Sequence, residues 1–438
     1  MTDAGRGRLA AALIAFAAFG PYLAAGVRTE QLAVYGTAGL LLLAGAWTRM
    51  RLGDAGIWVV ALQGSVLAVA LIGVVIPPVN LTLYASGNLV AGVDNLLLPI
   101  VVILLVGMMV GAGADRLVMI RSVCAVTVWT MSANAVLAFT SIDSGGEQPA
   151  ILTTFRLFGD GESVADRAEQ LGRYSGIFNQ PAEAGLLYSV ALLAAVYLYR
   201  EQAVKFALTA SLLTVGGILA VSKVFLLIGM PVALWQVFRN RGGRWRRIAA
   251  VSTAVVAAAV LGQLGRLPEW TGSDYILRLI PGTGSDTVGL YTGGRFGQQS
   301  TLSDVIDAVA YISPTMGVGA AGLQMPYDNA WVEAFVVGGV LGVLLHSAVL
   351  VALAASWWLN RSAGPESAFA GGLILVVACA SAGVPALTAN RCATVVWLLL
   401  SLLLLARPFT GRHRKAATVL TREHRPLGLA HGSATFRT

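Results

Sequence analysis

The side chains able to do chemistry in this chain are few and unevenly placed. Asp328 and Asn329 sit at the head of an apolar run, "MPYDNAWVEAFVVGG", and Glu333 follows a turn or so further in. At 1.5 Å per residue Glu333 lies about 7 Å deeper along a helix. A carboxylate in that place can take a proton from an attacking hydroxyl, and an amide beside it can orient either partner. Asp328 has a second role open to it as a helix N-cap, and Glu333 could equally be the buried partner of an arginine. Glu183, at the start of an apolar run after "NQP", carries the same ambiguity. Cations complement these acids. Arg173 stands beside Tyr174 in "LGRYSGIFNQP", Arg295 follows Gly294 in "YTGGRFGQQ", and Lys223 interrupts "AVSKVFLL". Guanidinium forks match phosphate oxygens bidentately, which an ammonium cannot do, and Gly293-Gly294 lets backbone approach a ligand closely. An arginine at a membrane edge can also simply snorkel to the headgroups.

Other chemistries lack their residues. His346 falls within an apolar run, and His413, His424 and His431 fall in the C-terminal segment. No Cys/His cluster with metal-ligand spacing exists, so no metal site is expected. Cys124, Cys379 and Cys392 are unpaired in spacing and read as small core residues. No P-loop or dinucleotide fingerprint is present, and no cofactor is expected.

The elements that must position these residues are membrane helices. Of 438 residues 56% are hydrophobic and only 12% charged, against roughly a quarter charged in an average soluble domain. Apolar runs of the length that spans a bilayer recur along the chain. About twelve spans are expected, an all-α integral membrane protein, at roughly 9–27, 31–47, 57–76, 90–112, 117–140, 182–199, 203–220, 222–238, 248–263, 329–356, 368–384 and 392–407. Asp94, inside the fourth, reads as a packing or polar-network residue.

The net charge of +8 is a topology signal here, not a nucleic-acid footprint. Most of the basic residues fall in short segments on one face, including "RNRGGRWRR" at 239–247 and the tail from Arg407. The positive-inside rule makes that face cytoplasmic, with both termini inside. Parity then requires two spans within 203–238. The first span is read as retained, not as a cleaved signal.

Only two connections are long, 141–181 and 264–328, and both fall on the outer face, where function is expected. In the second, "STLSDVIDAVAYI" puts Leu302, Val305, Ile306, Val309 and Ile312 on one helical stripe, with Thr301 and Asp304 at capping-box spacing. That reads as an amphipathic helix lying on the outer membrane surface, followed by a flexible turn at "PTMGVGAAG". The segment 408–438 reads as a basic, disordered cytoplasmic tail.

Cations and a carboxylate at the outer leaflet, with many helices to enclose a lipid tail, suit glycosyl transfer from a polyprenyl-diphosphate donor. The leaving group is a lipid diphosphate that cations must stabilise, and the acceptor hydroxyl needs a base. A transporter or flippase of lipid-linked sugars would suit the same span count, although no internal halves repeat is visible and the polar load sits in the outer loops.

The stretches "GRYSGIFNQPAEAGLLYSVAL", "AVSKVFLL" and "GGRFGQQ…ISPTMGVGAAG…YDNAWVEAFVVGGVLGVLL" resemble signatures of the bacterial O-antigen ligase and polymerase superfamily. The resemblance covers most of the chain in topology and some 80 residues in motif. It implies a GT-C-like membrane glycosyltransferase of the bacterial inner membrane. It further implies that Arg173 and Arg295 contact the lipid diphosphate and that Asp328, with Asn329, stands at the catalytic dyad. Lys223 takes a place where relatives often carry Arg after a Ser. Lys223, Asn329, Glu333, Gly294 and Tyr174 are the expected substrate-binding residues. Two departures stand out: Asp328 replaces the His usual in ligases, and the usual Asn-Pro-Asn-like element reads Gln180-Pro181-Ala182. The missing His favours a polymerase, which extends one lipid-linked oligosaccharide with another, over a ligase that transfers finished glycan to a lipid or protein. The expected partners are those lipid-linked donors and acceptors and the bilayer, with a chain-length regulator as a further candidate. The resemblance implies a metal-independent, inverting reaction.

Overall fold

Helices with no polar stripe must be surrounded, by lipid or by protein, and this chain builds both kinds. The computed structural model describes residues 3–23, 27–75, 88–143, 150–156, 164–239, 303–324, 327–361 and 364–406, with isolated positions at 253, 259 and 262. Among them the chain is mostly helical, and the only β-pairing consists of isolated bridges, Tyr22 with Arg28 and Leu52 with Ala406. The helices are α1 (Asp3–Ala17), α2 (Thr29–Leu43), α3 (Asp54–Val75), α4 (Leu89–Gly111), α5 (Arg116–Asp143), α6 (Ala150–Phe155) and α7 (Val164–Gln170). They continue as α8 (Pro181–Leu198), α9 (Ala203–Leu219), α10 (Met230–Arg239), α11 (Ser303–Ile312), α12 (Ala330–Leu359), α13 (Pro365–Ala380) and α14 (Asn390–Leu400). Short π-helical turns at Phe225–Gly229 and Ser401–Leu405 lead into α10 and extend α14.

By length and composition α3, α4, α5 and α8 can each cross a membrane as one helix, and α12 reaches that length when counted over its whole run Ala330–Leu359; four shorter apolar helices accompany them. Apart from the isolated positions 253, 259 and 262, the span expected at 248–263 lies outside the described residues, as do the loop carrying Gly294 and Arg295 and the tail 408–438. α8 is the hub. Nearly all its residues are buried, and it packs against α5, α9, α10 and α13. Its first turn is therefore held deep among neighbours.

Two expected spans are corrected. The first helix stops at Ala17, short of residue 27, because Pro21 cannot continue a helix; the chain then loops back, bringing Tyr22 beside Arg28. The run 329–356 is not one helix. Gly339 adopts φ 60°, ψ −150° inside α12 and divides it into limbs 330–338 and 340–359. The rings of Trp331 and His346 lie 4.8 Å apart, whereas fifteen residues of straight helix would separate them by about 22 Å. The chain thus turns back on itself at Gly339, and the limbs touch: a Cβ on Gly342 would lie 2.1 Å from the Ala334 carbonyl oxygen.

The segment 313–318 binds this reversal. Val340 N–H donates to Pro314 O (2.8 Å), Leu341 N–H to Thr315 O (3.1 Å), and Val318 N–H to Val336 O (2.8 Å). The expected flexible turn is instead a packed backbone plug. Gly319 approaches Gly73 of α3 so closely that a Cβ on either would overlap the other's Cα. α11 exists as expected, but Val305 and Val309 are buried against Val318, Tyr327, Val332 and Val336. Val305 and Val309 of its apolar stripe thus pack on protein, while Ile312 stays exposed. Cys124 and Cys392 are buried as expected; Cys379 is exposed, so it is not a core residue.

Candidate functional site

The reversal at Gly339 sets the short limb 330–338 with its N-terminus inside the bundle. Asn329, fully buried, is the N-cap: its Oδ1 accepts from Trp331 N–H (2.8 Å) and Val332 N–H (3.4 Å). Asp328 is therefore not the cap; it is half-buried just ahead of it. The Ala330 N–H donates to Ser381 O (2.9 Å), tying the limb to the connection between α13 and α14. From that connection Thr388 Oγ1 donates to Glu333 Oε2 (2.8 Å).

Glu333 and Thr388 form one wall of a polar chamber of about 190 Å³. α4 contributes Asn95, and the start of α8 contributes Asn179, Gln180 and Glu183. α8 begins here because Gln180 is extended and Pro181, with its fixed φ and missing N–H, suits the first helical position. Gln180 makes no capping hydrogen bond. Glu183 is only 6% exposed, and its Oε1 has no hydrogen-bond partner among the described residues. Tyr327 also lines the chamber and donates to Gly322 O (2.8 Å). Burial pushes its phenol well above the ordinary value and the Glu333 charge adds to this, so the hydroxyl keeps its proton.

On the other side of Glu333 and Thr388 lies a second, smaller cavity, of about 40 Å³ and mostly apolar. Val66 and Val69 of α3, Leu96 of α4, and Val337, Leu345 and Val349 of the two α12 limbs line it, with His346 and Gln63 as polar exceptions. A polar chamber and an apolar one thus share a wall, and that wall carries a carboxylate.

Buried arginines brace the chamber from behind. Arg28 pairs with Glu30 (3.1 Å) and Asp94 (2.6 Å) and donates to Asn95 Oδ1 (3.1 Å). Asp94 also accepts from Gln31 (2.6 Å) and Tyr35 (2.5 Å), the polar network its sequence position suggested. Arg391, 2% exposed, donates to the carbonyls of Ile177 (2.7 Å) and Phe155 (2.6 Å). Arg156 donates to Gly176 O (3.0 Å) and pairs with Glu169. Asn134 accepts from Ile177 N–H (2.8 Å) and donates to Ser175 O (3.2 Å) and Tyr188 Oη (2.9 Å). The segment 173–180 leading to Glu183 is thereby fixed at several points.

Of the expected site residues, Glu333 lines both cavities, Asn329 caps its helix, and Asp328 lines neither cavity. Arg173 and Tyr174 are half-buried at the other end of the braced segment, where Tyr174 N–H donates to Leu219 O (2.9 Å). Lys223 follows closely after Val221, whose φ of 42° marks the sharp turn out of α9. Arg173, Tyr174 and Lys223 so belong to one neighbourhood, which the segment 173–180 joins to the chamber. Gly294 and Arg295 lie outside the described residues. Arg28, Arg391 and Thr388 were missed in the sequence. Arg28 in "VRTEQ" and Arg391 in "ANRCA" each stand at the start of an apolar run, a signal indistinguishable from a membrane-edge arginine.

Comparison with protein-family models and with curated proteins gives no match.

Proposed function

We propose that the protein is a membrane glycosyltransferase that polymerises polyprenyl-diphosphate-linked oligosaccharide repeat units into a surface polysaccharide. The reaction takes place on the extracytoplasmic side of the bacterial inner membrane, within about twelve spans and with both termini inside. The observation that carries the reading is the wall that Glu333 and Thr388 share between a polar and an apolar cavity. A lipid-linked sugar needs such a pair, one for its head and one for the first isoprene units of its tail. Thr388 occupies Glu333 Oε2 and so aims the remaining oxygen at an acceptor hydroxyl. In this reading Glu333, not Asp328, takes the proton as the acceptor oxygen bonds to the donor anomeric carbon. The bond from that carbon to the diphosphate breaks with inversion, and the lipid diphosphate departs with the electron pair, stabilised by Arg173, Arg295 and Lys223.

A second reading rests on the broken helix. Half-helices that begin at a buried polar site are a transporter device, and the limb 330–338 starts at buried Asn329, so a flippase of lipid-linked sugars is the alternative. Flux of lipid-linked sugars across vesicle membranes without glycan lengthening would identify the flippase, and glycan profiling of a deletion strain by gel and mass spectrometry separates polymerase from ligase. Single repeat units on lipid carrier, with long chains lost, are expected. Long polymer left unattached would point to a ligase, and an unaltered glycan profile would overturn glycosyl transfer altogether.

A further inference from the structure

The chamber's lining is unlike a diphosphate cradle. None of its described lining residues is a cation, and the described arginines that brace it already hold protein acceptors: Arg28 on Glu30, Asp94 and Asn95, and Arg391 on two backbone carbonyls. Beside Leu323, Pro385 and Ala389, the polar part of the lining is carboxylate, carboxamide and hydroxyl, with a phenol ring. Among these, Glu183 Oε1 is nine-tenths buried and has no donor within the described protein. A buried carboxylate oxygen without a donor is costly to leave so, and a ligand O–H would supply what is missing.

We propose that the chamber is the subsite for a neutral, hydroxyl-rich sugar, in which Glu183 accepts from a sugar hydroxyl and a uronic acid is refused. This deepens the proposed function and rests on it for the identification of the ligand as a glycan. Two carboxylates, Glu183 and Glu333, border one space; a third brought by the sugar would meet like charge in a site screened from water. Gln180 and Tyr327 in the lining add the amide and aromatic surfaces that hydroxyl-rich ligands use, and neither contributes charge.

The test is saturation-transfer NMR on the full chain in lipid nanodiscs, with methyl glucoside, methyl galactoside and methyl mannoside against the methyl glycosides of their uronic acids. At least one neutral glycoside should bind in the millimolar range, with its uronate weaker by about tenfold or more, as a like-charge contact requires. Glu183→Gln, which keeps size and an acceptor oxygen, should shrink that gap to about twofold. Glu183→Ala should weaken the neutral sugar by about tenfold, the loss of one hydrogen bond to a charged group. Thermal unfolding identifies any variant that fails to fold, and the wild-type panel decides without variants. Uronates bound as tightly as neutral sugars, no glycoside bound by folded wild-type protein, or displacement of the sugar by inorganic pyrophosphate would each overturn the assignment. A polymer of uronate units lost in the deletion strain would sink this inference and leave the function standing. Sugar binding with unaltered cellular glycans would do the reverse.

Discussion

Thr388 illustrates how one hydroxyl can set the chemistry of a site. Its hydrogen bond to Glu333 Oε2 fixes the carboxylate rotamer, and a hydrogen bond to a charged group is worth about 1.5–3 kcal/mol. Thr388→Val keeps the shape and removes the donor, so the rate of chain elongation should fall by about tenfold or more, while Thr388→Ser should stay within about threefold of wild type. Equal rates in the two variants would remove Thr388 from the account. Legibility at this scale was partial. Glu333 stood out because an acid inside an apolar run needs a reason. The cap could not be assigned, since Asp328 and Asn329 both suit an N-cap and only the backbone shows that Asn329 takes it. Arg391 was hidden for a different reason: its value lies in the carbonyls of Ile177 and Phe155, more than two hundred residues away.

At the scale of elements, apolar run length located most helices to within a few residues, because the bilayer imposes one length on every spanning run. It could not locate the reversal in α12. Hydropathy is unbroken through "VVGGVLGVLL", and glycine pairs are common inside membrane helices; the turn depends on Pro314 to Val318 reaching it from another element. The amphipathic stripe of α11 had the same limit. Periodicity tells that a face is buried and not what buries it. Gly339 carries the sharpest prediction here. Its backbone conformation costs a residue with a Cβ about 1–3 kcal/mol, and the added carbon would lie 2.5 Å from the Thr315 carbonyl carbon. Gly339→Ala should therefore lower the thermal unfolding midpoint in detergent and abolish activity. Gly36→Ala, in α2 with nothing within 4 Å of its Cβ, should be neutral or stabilising by up to about 1 kcal/mol. Similar midpoints for both would show that the reversal is not under the stated constraint.

At the scale of the whole molecule, the fold brings the starts of α8, α12 and α14, and the polar face of α4, around one chamber, and braces it with arginines paired inside the protein. In the proposed orientation, with both termini inside, this chamber opens to the exterior. Cysteine placed at Ser300 in a Cys379→Ser background should therefore react with an impermeant maleimide in intact cells, and cysteine at Thr438 only after permeabilisation. The opposite pattern would invert the protein and move the chemistry to the cytoplasmic side. The central claim is that chain elongation takes place where the polar and apolar cavities meet. Its most direct measurement is elongation by purified full chain in nanodiscs, supplied with lipid-linked repeat units extracted from the deletion strain and read on a gel. A ladder of lengthened glycans is expected from wild-type protein, and unextended units from Glu333→Gln of equal thermal stability. Undiminished ladders from Glu333→Gln, or repeat units carried across vesicle membranes by the wild type without any lengthening, would contradict it.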